Sequence, residues 1–414
     1  MIERGRAAVL KIASGASGDV SPKHAPPTIA FVTPGSFAVP SPSSSSVERV
    51  VEQVAPRLAP HVRPFIYGKT ARGLGRSGRL GAARCLRFPA ASRMRYLRAV
   101  ASSLRRRRAA VAVVENRPAH ALALRARSRS TRLWLSLHST TFVEGAAISR
   151  ARLRRSLRVV ERIVVNSAYL GERIAELAPE SAAKLRVVHL GVDPDRFATP
   201  FTPEGAARRE ALRAERSWQG REVALFVGRL IPIKGVHHLL EAMPQLVAEH
   251  PALLLVIVGS PYYGSHRQTA YAQRLQRLGR DWPGHVRFVP YVPYHEVPDW
   301  YLAADVALVP SAAREAFGLV NVEAMACGLP VVATRAGGIV EIVEDGQTGW
   351  LLDPDALGAQ LPERLLPLLR DPALREHMGR LGRERVEQRF TWAHVAERWR
   401  MLLEEAGVVA EVDA

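Results

Sequence analysis

Short, nearly uninterrupted apolar runs recur along the chain, each closing on a polar or small residue. A first series consists of PTIAFVT (27–33), AAVAVVE (109–115), RLWLSLH (132–138) and ERIVVNS (161–167). Runs of this kind, without strict alternation, are what strands buried on both faces look like. They alternate with helical stretches such as 47–59 and 168–178, so the pattern predicts a parallel α/β sheet. A second series, VALFVGRL (223–230), ALLLVIVGS (252–260), VRFVPYV (286–292), DVALVPS (305–311) and PVVAT (330–334), predicts another sheet with its own core. Between the two lies HLGVDPDRFATPFTPEGAARRE, rich in proline and glycine, which reads as a linker with the boundary near residue 195. An amphipathic helix is expected over 392–406, and the Arg-rich segments 105–108 and 150–158 read as solvated helices. Open α/β sheets carry functional groups at the carboxyl ends of their strands, which places Thr33, Glu115, His138 and Asn166 on one rim. Two such domains joined by a linker imply a cleft that receives ligand.

Length agrees with this division, since 414 residues suit two domains of roughly 150–200 residues each. No apolar run reaches the ~18 residues of a membrane span, so the chain is expected to be soluble. Residues 1–27 lack a sustained apolar segment and a cleavage site; they read as a disordered extension, not a signal peptide. Two cysteines, Cys85 and Cys327, stand far apart outside any CxxC pattern, which speaks for a reducing compartment and against a zinc site. Charge changes the picture more. Residues 1–200 hold 35 Lys and Arg against 12 Asp and Glu, a net of +23, whereas the rest of the chain carries a net of −4. A field of that size concentrates anionic partners, although Arg-rich codon usage would produce the same excess. The basic half lacks the interleaved aromatics of a nucleic-acid surface, so nucleic acid ranks last among the partners.

Candidate chemistry gathers in the second half. VGRLIPIKG puts Gly228 at a strand end, then Arg229, then Lys234. Glycine lets a backbone approach a ligand, and two cations on one strand-to-helix connection suit a diphosphate, Arg as a fork and Lys as a point charge. REAFGLVNVEAMACGLP (314–330) keeps Glu315 and Glu323 on either side of an expected helix start. Amides at such a start bind phosphate oxygens, and a carboxylate one turn inside can take both hydroxyls of a vicinal diol. Two unpaired buried carboxylates would be costly, so ligand hydroxyls and Arg229 or Lys234 are the expected partners. DPD occurs at 193–195 and 353–355, but both copies fall in loops, and no metal site is expected.

Together the Glu315/Glu323 pair, the GRLxxxKG loop, the run EAMACGLPVVATRAGGIVEIVEDGQTGWLLDPDA and the linker GVDPDRF closely resemble retaining nucleotide-sugar glycosyltransferases of family 4, over roughly residues 28–406. The resemblance implies the GT-B architecture: two Rossmann-like, doubly wound α/β domains facing across a cleft. It divides the chain into an N-terminal acceptor-side domain (28–195), a C-terminal nucleotide-sugar domain (196–390) and a final helix (391–414) that crosses back to the first domain. It assigns Arg229 and Lys234 to the donor diphosphate, Glu315 to the donor sugar, Glu323 to the ribose and the backbone of Phe317, Gly318, Leu319 and Val320 to the phosphate cradle. Gly228, Gly259 and the 289–292 segment with Val292 would border the base, although Pro290 replaces a glycine common in the family. On the acceptor side it points to His138, at a strand end in LSLHSTTF, and to Glu115, Asn116 and Arg117 of ENRP. Ser45 and Ser46 stand in a loop where many members have paired glycines, and they can still cap the following helix.

ENRP and LSLHSTTF also resemble the spore-coat glycosyltransferase subgroup. The implied activity is metal-independent, sugar-retaining transfer from a nucleotide-diphosphate sugar, a UDP-sugar foremost, without a cofactor. Glu315, His138, Arg229 and Lys234 would carry the chemistry. The acceptor would be an anionic or glycan component of the cell envelope or spore coat. The expected location is the cytoplasm, with peripheral contact at the inner membrane face or the coat. The competing expectation is an inactive scaffold that binds a coat component.

Overall fold

The structure, a computed structural model, describes residues 25–40, 46–262, 268–312 and 314–410. Most of the expected N-terminal extension, and Ser45 with it, lies outside the described residues. Strands β1 (Thr28–Val32), β2 (Arg63–Lys69), β3 (Ser77–Leu80), β4 (Ala83–Phe88), β5 (Val111–Glu115), β6 (Arg132–Leu137), β7 (Arg162–Val165) and β8 (Leu185–Val187) form one sheet in the order 3-4-2-1-5-6-7-8. Only β3 within it is antiparallel, paired to β4. Strands β9 (Glu222–Val227), β10 (Leu253–Val258), β11 (Val286–Val289), β12 (Val306–Val309), β13 (Val331–Thr334) and β14 (Gly349–Leu352) form a second, wholly parallel sheet in the order 11-10-9-12-13-14. Both have the switch in strand order, at β1 and at β9, that opens a crevice beyond the carboxyl ends.

Central strands are buried along their whole length, β1, β5 and β10 without exception, because helices cover both faces. The chain passes between the sheets twice, at 191–192 and at 390–392. Those crossings run side by side: Val192 N–H donates to Phe390 O (2.8 Å) and Trp392 N–H to Val192 O (3.0 Å). Gly191 permits this approach, since a Cβ there would lie 2.6 Å from the Thr391 carbonyl carbon. Gly191→Ala is therefore expected to cost about 2 kcal/mol through backbone displacement, measurable as a lower urea midpoint with an unchanged slope. After the second crossing the helix Trp392–Glu405 lies on the first sheet. Trp399 stacks on Trp134 at 6.2 Å and meets Phe31 edge-on at 5.7 Å, while Arg162 and Arg186 pair with Glu405.

Two expectations about the basic segments change. The helix over the first of them ends at Arg106; Arg107 lays its guanidinium 4.6 Å from the Phe65 ring centre and Arg108 turns to φ 50°. The second does form a helix, Arg150–Arg158, but it buries Leu153, Ser156 and Leu157 and is not solvated all round. Several arginines of this half serve structure, Arg87 donating to Val39 O and Gly75 O and Arg132 and Arg154 pairing with Glu161 and Glu180. No helix among the described residues is long and apolar enough to cross a membrane.

Candidate active site

The carboxyl ends of β9 and β10 continue into Gly228–Arg229 and Gly259–Ser260, and the chain beyond β11 into Tyr291, Val292 and Tyr294. Together with the start of the helix Leu319–Ala326 they enclose a cavity of about 170 Å³. The expected donor residues Gly228, Arg229, Gly259, Val292, Leu319, Val320 and Glu323 all line it. The run VRFVPYV is strand only as far as Val289; from Pro290 the chain leaves the sheet, and this presents Tyr291 and Val292 to the cavity. The helix begins at Leu319 after a left-handed Gly318, so its first N–H groups, which have no intrahelical acceptor, start at the cavity wall.

Lys234 and Glu315 are brought together separately. Lys234 ends a short 3-10 turn, Pro232–Lys234, and Gly235 follows at φ 68°, where a Cβ would lie 1.9 Å from Pro310 O. That close approach to the end of β12 lets Lys234 Nζ donate to Glu315 Oε2, and Ser311 Oγ donates to the same oxygen at 3.2 Å. Glu315 is thus held as a paired carboxylate at the edge of the cleft, its side chain 18% exposed. Its neighbours reach the first sheet: Arg314 lies 3.8 Å from Glu144, and Ser167 Oγ donates to Ala316 O. Phe317 turns away from the cavity and stacks on His189 at 5.8 Å.

Glu323 is almost wholly buried. Burial pushes its carboxyl up to about 7, against the opposing pull of Arg49, Tyr294, Arg196 and Tyr301. Arg49, from the helix Ser46–Arg57 of the first sheet, crosses to this cavity; its guanidinium carbon is 4.1 Å above the Tyr294 ring, and Arg196 of the linker covers the same ring at 4.8 Å. Arg49 and Tyr294 are site residues that no motif announced. Three residues beyond Lys234, His237, His238 and Glu241 hold ligand atoms within 4.8 Å of one another, although His237 Nδ1 already lies 2.9 Å from the Tyr271 hydroxyl.

The acceptor-side residues form their own cluster. His138 Nε2 lies 2.8 Å from Glu115 Oε2 and 3.0 Å from Ser136 Oγ; the His138 backbone N–H donates to Asn116 Oδ1, and Asn166 Nδ2 donates to the His138 carbonyl. A carboxylate only accepts, so Nε2 carries the proton and the buried Nδ1, which has no hydrogen-bond partner among the described residues, is the free ring position. Arg117, next along, stacks its guanidinium 3.4 Å from the Phe142 ring centre. Ser46 opens the helix Ser46–Arg57. His138 does not line the donor cavity; the structure groups it with Glu115, at the end of β6.

Two doubly wound sheets facing each other, with a cavity at the carboxyl ends of the second, define the GT-B class of glycosyltransferase. The model for glycosyl transferases group 1 matches residues 208–385, and that for glycosyltransferase family 4 matches residues 47–196. Spore coat protein SA of Bacillus subtilis is 31% identical over 369 residues, covering 89% of this chain and 97% of its own. D-inositol 3-phosphate glycosyltransferase of Kribbella flavida is 34% identical over 277 residues, 63% of each chain. Among solved structures, Anabaena HepE in complex with UDP superposes with a TM-score of 0.74 at 20% identity, over 92% of this chain and 100% of that one. Sucrose-phosphate synthase of Thermosynechococcus elongatus gives 0.75 at 23%, over 92% and 99%. The chain belongs to the family 4 glycosyltransferases.

Proposed function

We propose that this transferase moves a sugar from a nucleoside-diphosphate donor, UDP-linked foremost, onto an acceptor hydroxyl with retention at the anomeric carbon and without a metal ion. The observation that carries the reading is the convergence of Arg229, Gly259, Val292, the helix start at Leu319 and Glu323 on one cavity, with the Lys234–Glu315 pair beside them. Arg229, Lys234 and the helix amides would take up charge on the departing diphosphate, the electrostatic help that the step most needs. Glu323 would hold the ribose diol and Glu315 the donor sugar. The acceptor oxygen attacks the anomeric carbon on the face that the diphosphate leaves; the C–O bond to the diphosphate breaks, and a diphosphate oxygen takes the acceptor proton. Glu115, Asn116, Arg117 and His138 would shape the acceptor side.

The acceptor in this reading is an anionic or glycan component of the envelope or coat, reached from the cytoplasm. The HepE complexes, named for UDP and UDP-glucose, support a uridine donor. The coat-protein name of one relative favours a second reading, a scaffold without activity. Thermal unfolding with UDP, GDP, ADP and their sugar nucleotides, in buffer with EDTA, separates the two. A ligand at 100 times its dissociation constant should add about 2.7 kcal/mol of stability. Stabilisation by one base in EDTA is the expected result; a shift that appears only on adding a divalent ion would refute metal independence, and no shift with any nucleotide would favour the scaffold.

A further inference from the structure

A second cavity, of about 330 Å³, opens among the loops that follow β1, β4, β5 and β6, on the same rim of the first sheet as His138. Gly35, Arg93, Arg117, His120, Phe142 and Ile148 are among its walls. We propose, given the transferase reading above, that this cavity is the acceptor subsite and that Arg93 and Arg117 there bind a phosphate group on a polyhydroxylated acceptor.

Two observations converge on an anion. Among the described residues neither arginine lies within ion-pair distance of a carboxylate, unlike Arg132, Arg154 and Arg173 of the same half, and the buried Glu48 attracts Arg117 only from further off. Arg117 spends an N–H on Asn116 O at 2.8 Å, and its plane is fixed against Phe142, so the guanidinium fork is oriented before a ligand arrives. His120, 5% exposed, is part of the same wall. Burial, then the nearby Arg117 and Arg93, hold His120 down to about 4.

Position ties the cavity to transfer. The segment after β6 walls it with Phe142 and Ile148, and the same segment carries Glu144, which meets Arg314 beside Glu315. Arg117 also directly follows Glu115 and Asn116, the two residues that hold His138. A phosphate anchored between Arg93 and Arg117 would therefore leave the rest of a small polyol on the side of His138 and Glu315. Its volume lies at the lower end of small-molecule sites, which suits a sugar or polyol phosphate head and not an extended glycan.

The test is calorimetric titration of the full chain with glycerol 3-phosphate and glucose 6-phosphate, against glycerol and glucose, and sedimentation with phosphatidylglycerol vesicles against phosphatidylcholine vesicles. Phosphorylated probes should bind at least roughly tenfold tighter than their neutral parents, and Arg93→Gln/Arg117→Gln should abolish the difference. Binding of the free phosphates identifies a soluble acceptor; binding of the anionic vesicles alone, lost in the same variant, identifies a lipid headgroup. Equal affinity for charged and neutral probes, or charge-dependent binding that survives in the double variant, overturns the proposal. UDP is titrated in parallel: phosphate binding through Arg93 and Arg117 in a protein that binds no nucleotide would sustain the subsite and sink the transferase reading. Unchanged circular dichroism and unfolding midpoint of the variant exclude misfolding as the cause.

Discussion

Lys234→Ala is expected to lower turnover of the sugar nucleotide by roughly 100- to 1,000-fold, the range seen when one preorganised donor to a developing negative charge is removed. The side chain has two tasks that compete. Without ligand its ammonium is bound by Glu315, and with donor present it would face a diphosphate that carries more negative charge than one carboxylate. Glu315 then becomes free for sugar hydroxyls at the moment the diphosphate claims the lysine, so donor binding would itself prepare the second carboxylate. Lys234→Arg should not rescue turnover, because a planar fork cannot replace a point charge in a space built around one Nζ. The two residues should also be coupled. Glu315→Ala and Lys234→Ala, measured singly and together, should give losses that fall well short of additive. Turnover and nucleotide affinity in Lys234→Ala within a few-fold of the parent would remove Lys234 from the diphosphate site. An unfolding midpoint close to the parent's is the control, since Glu315 keeps Ser311 as a partner.

Strand type, the presence of two sheets and the donor loop were legible because each leaves a local trace. β1, β5, β6, β7, β9, β10, β12 and β13 are continuous apolar runs, and burial on both faces demands that pattern. Five strands leave a weaker one. β3 is a short exposed edge, SGRL; β2 opens on Arg63–Pro64 and contains Gly68; β4 alternates through ARCLRF; β8 is three residues long; β14 starts on Gly349. Edge strands are stabilised by their neighbour and by backbone pairing, so their side chains need not announce them. The same logic divides the site. Gly228, Arg229 and Lys234 stand close together in one short segment and Glu315 and Glu323 in another, so their chemistry reads off the chain. Arg49 reaches Tyr294 across the cleft and Arg93 and Arg117 line one other cavity, and each of those meetings depends on tertiary placement alone.

Glu323 should make both stability and donor affinity depend on pH, in opposite directions. Its carboxyl is raised from an ordinary 4.5 to about 7 in the folded chain, first by burial. Between those values the folded state holds a proton that the unfolded state has lost. The contribution is therefore complete below pH ~4.5 and is lost as pH rises through 7, about 3 kcal/mol in all. Donor affinity should run the other way. The ionised carboxylate accepts from both ribose hydroxyls, whereas the acid must keep a donor of its own, so binding favours the anion and releases a proton. A UDP-sugar, whose diphosphate has no titration in this range, should bind roughly tenfold more weakly at pH 6 than well above 7. Glu323→Gln should flatten both profiles and bind the donor with an affinity no better than that of the protonated parent. Calorimetry in buffers of different ionisation enthalpy would count the released proton. A parent whose donor affinity improves as pH falls, or a Glu323→Gln variant that keeps the parent's slope, would move ribose recognition away from Glu323 and leave the buried carboxyl as part of the Arg49–Tyr294–Arg196 stack that joins the two halves of the cleft.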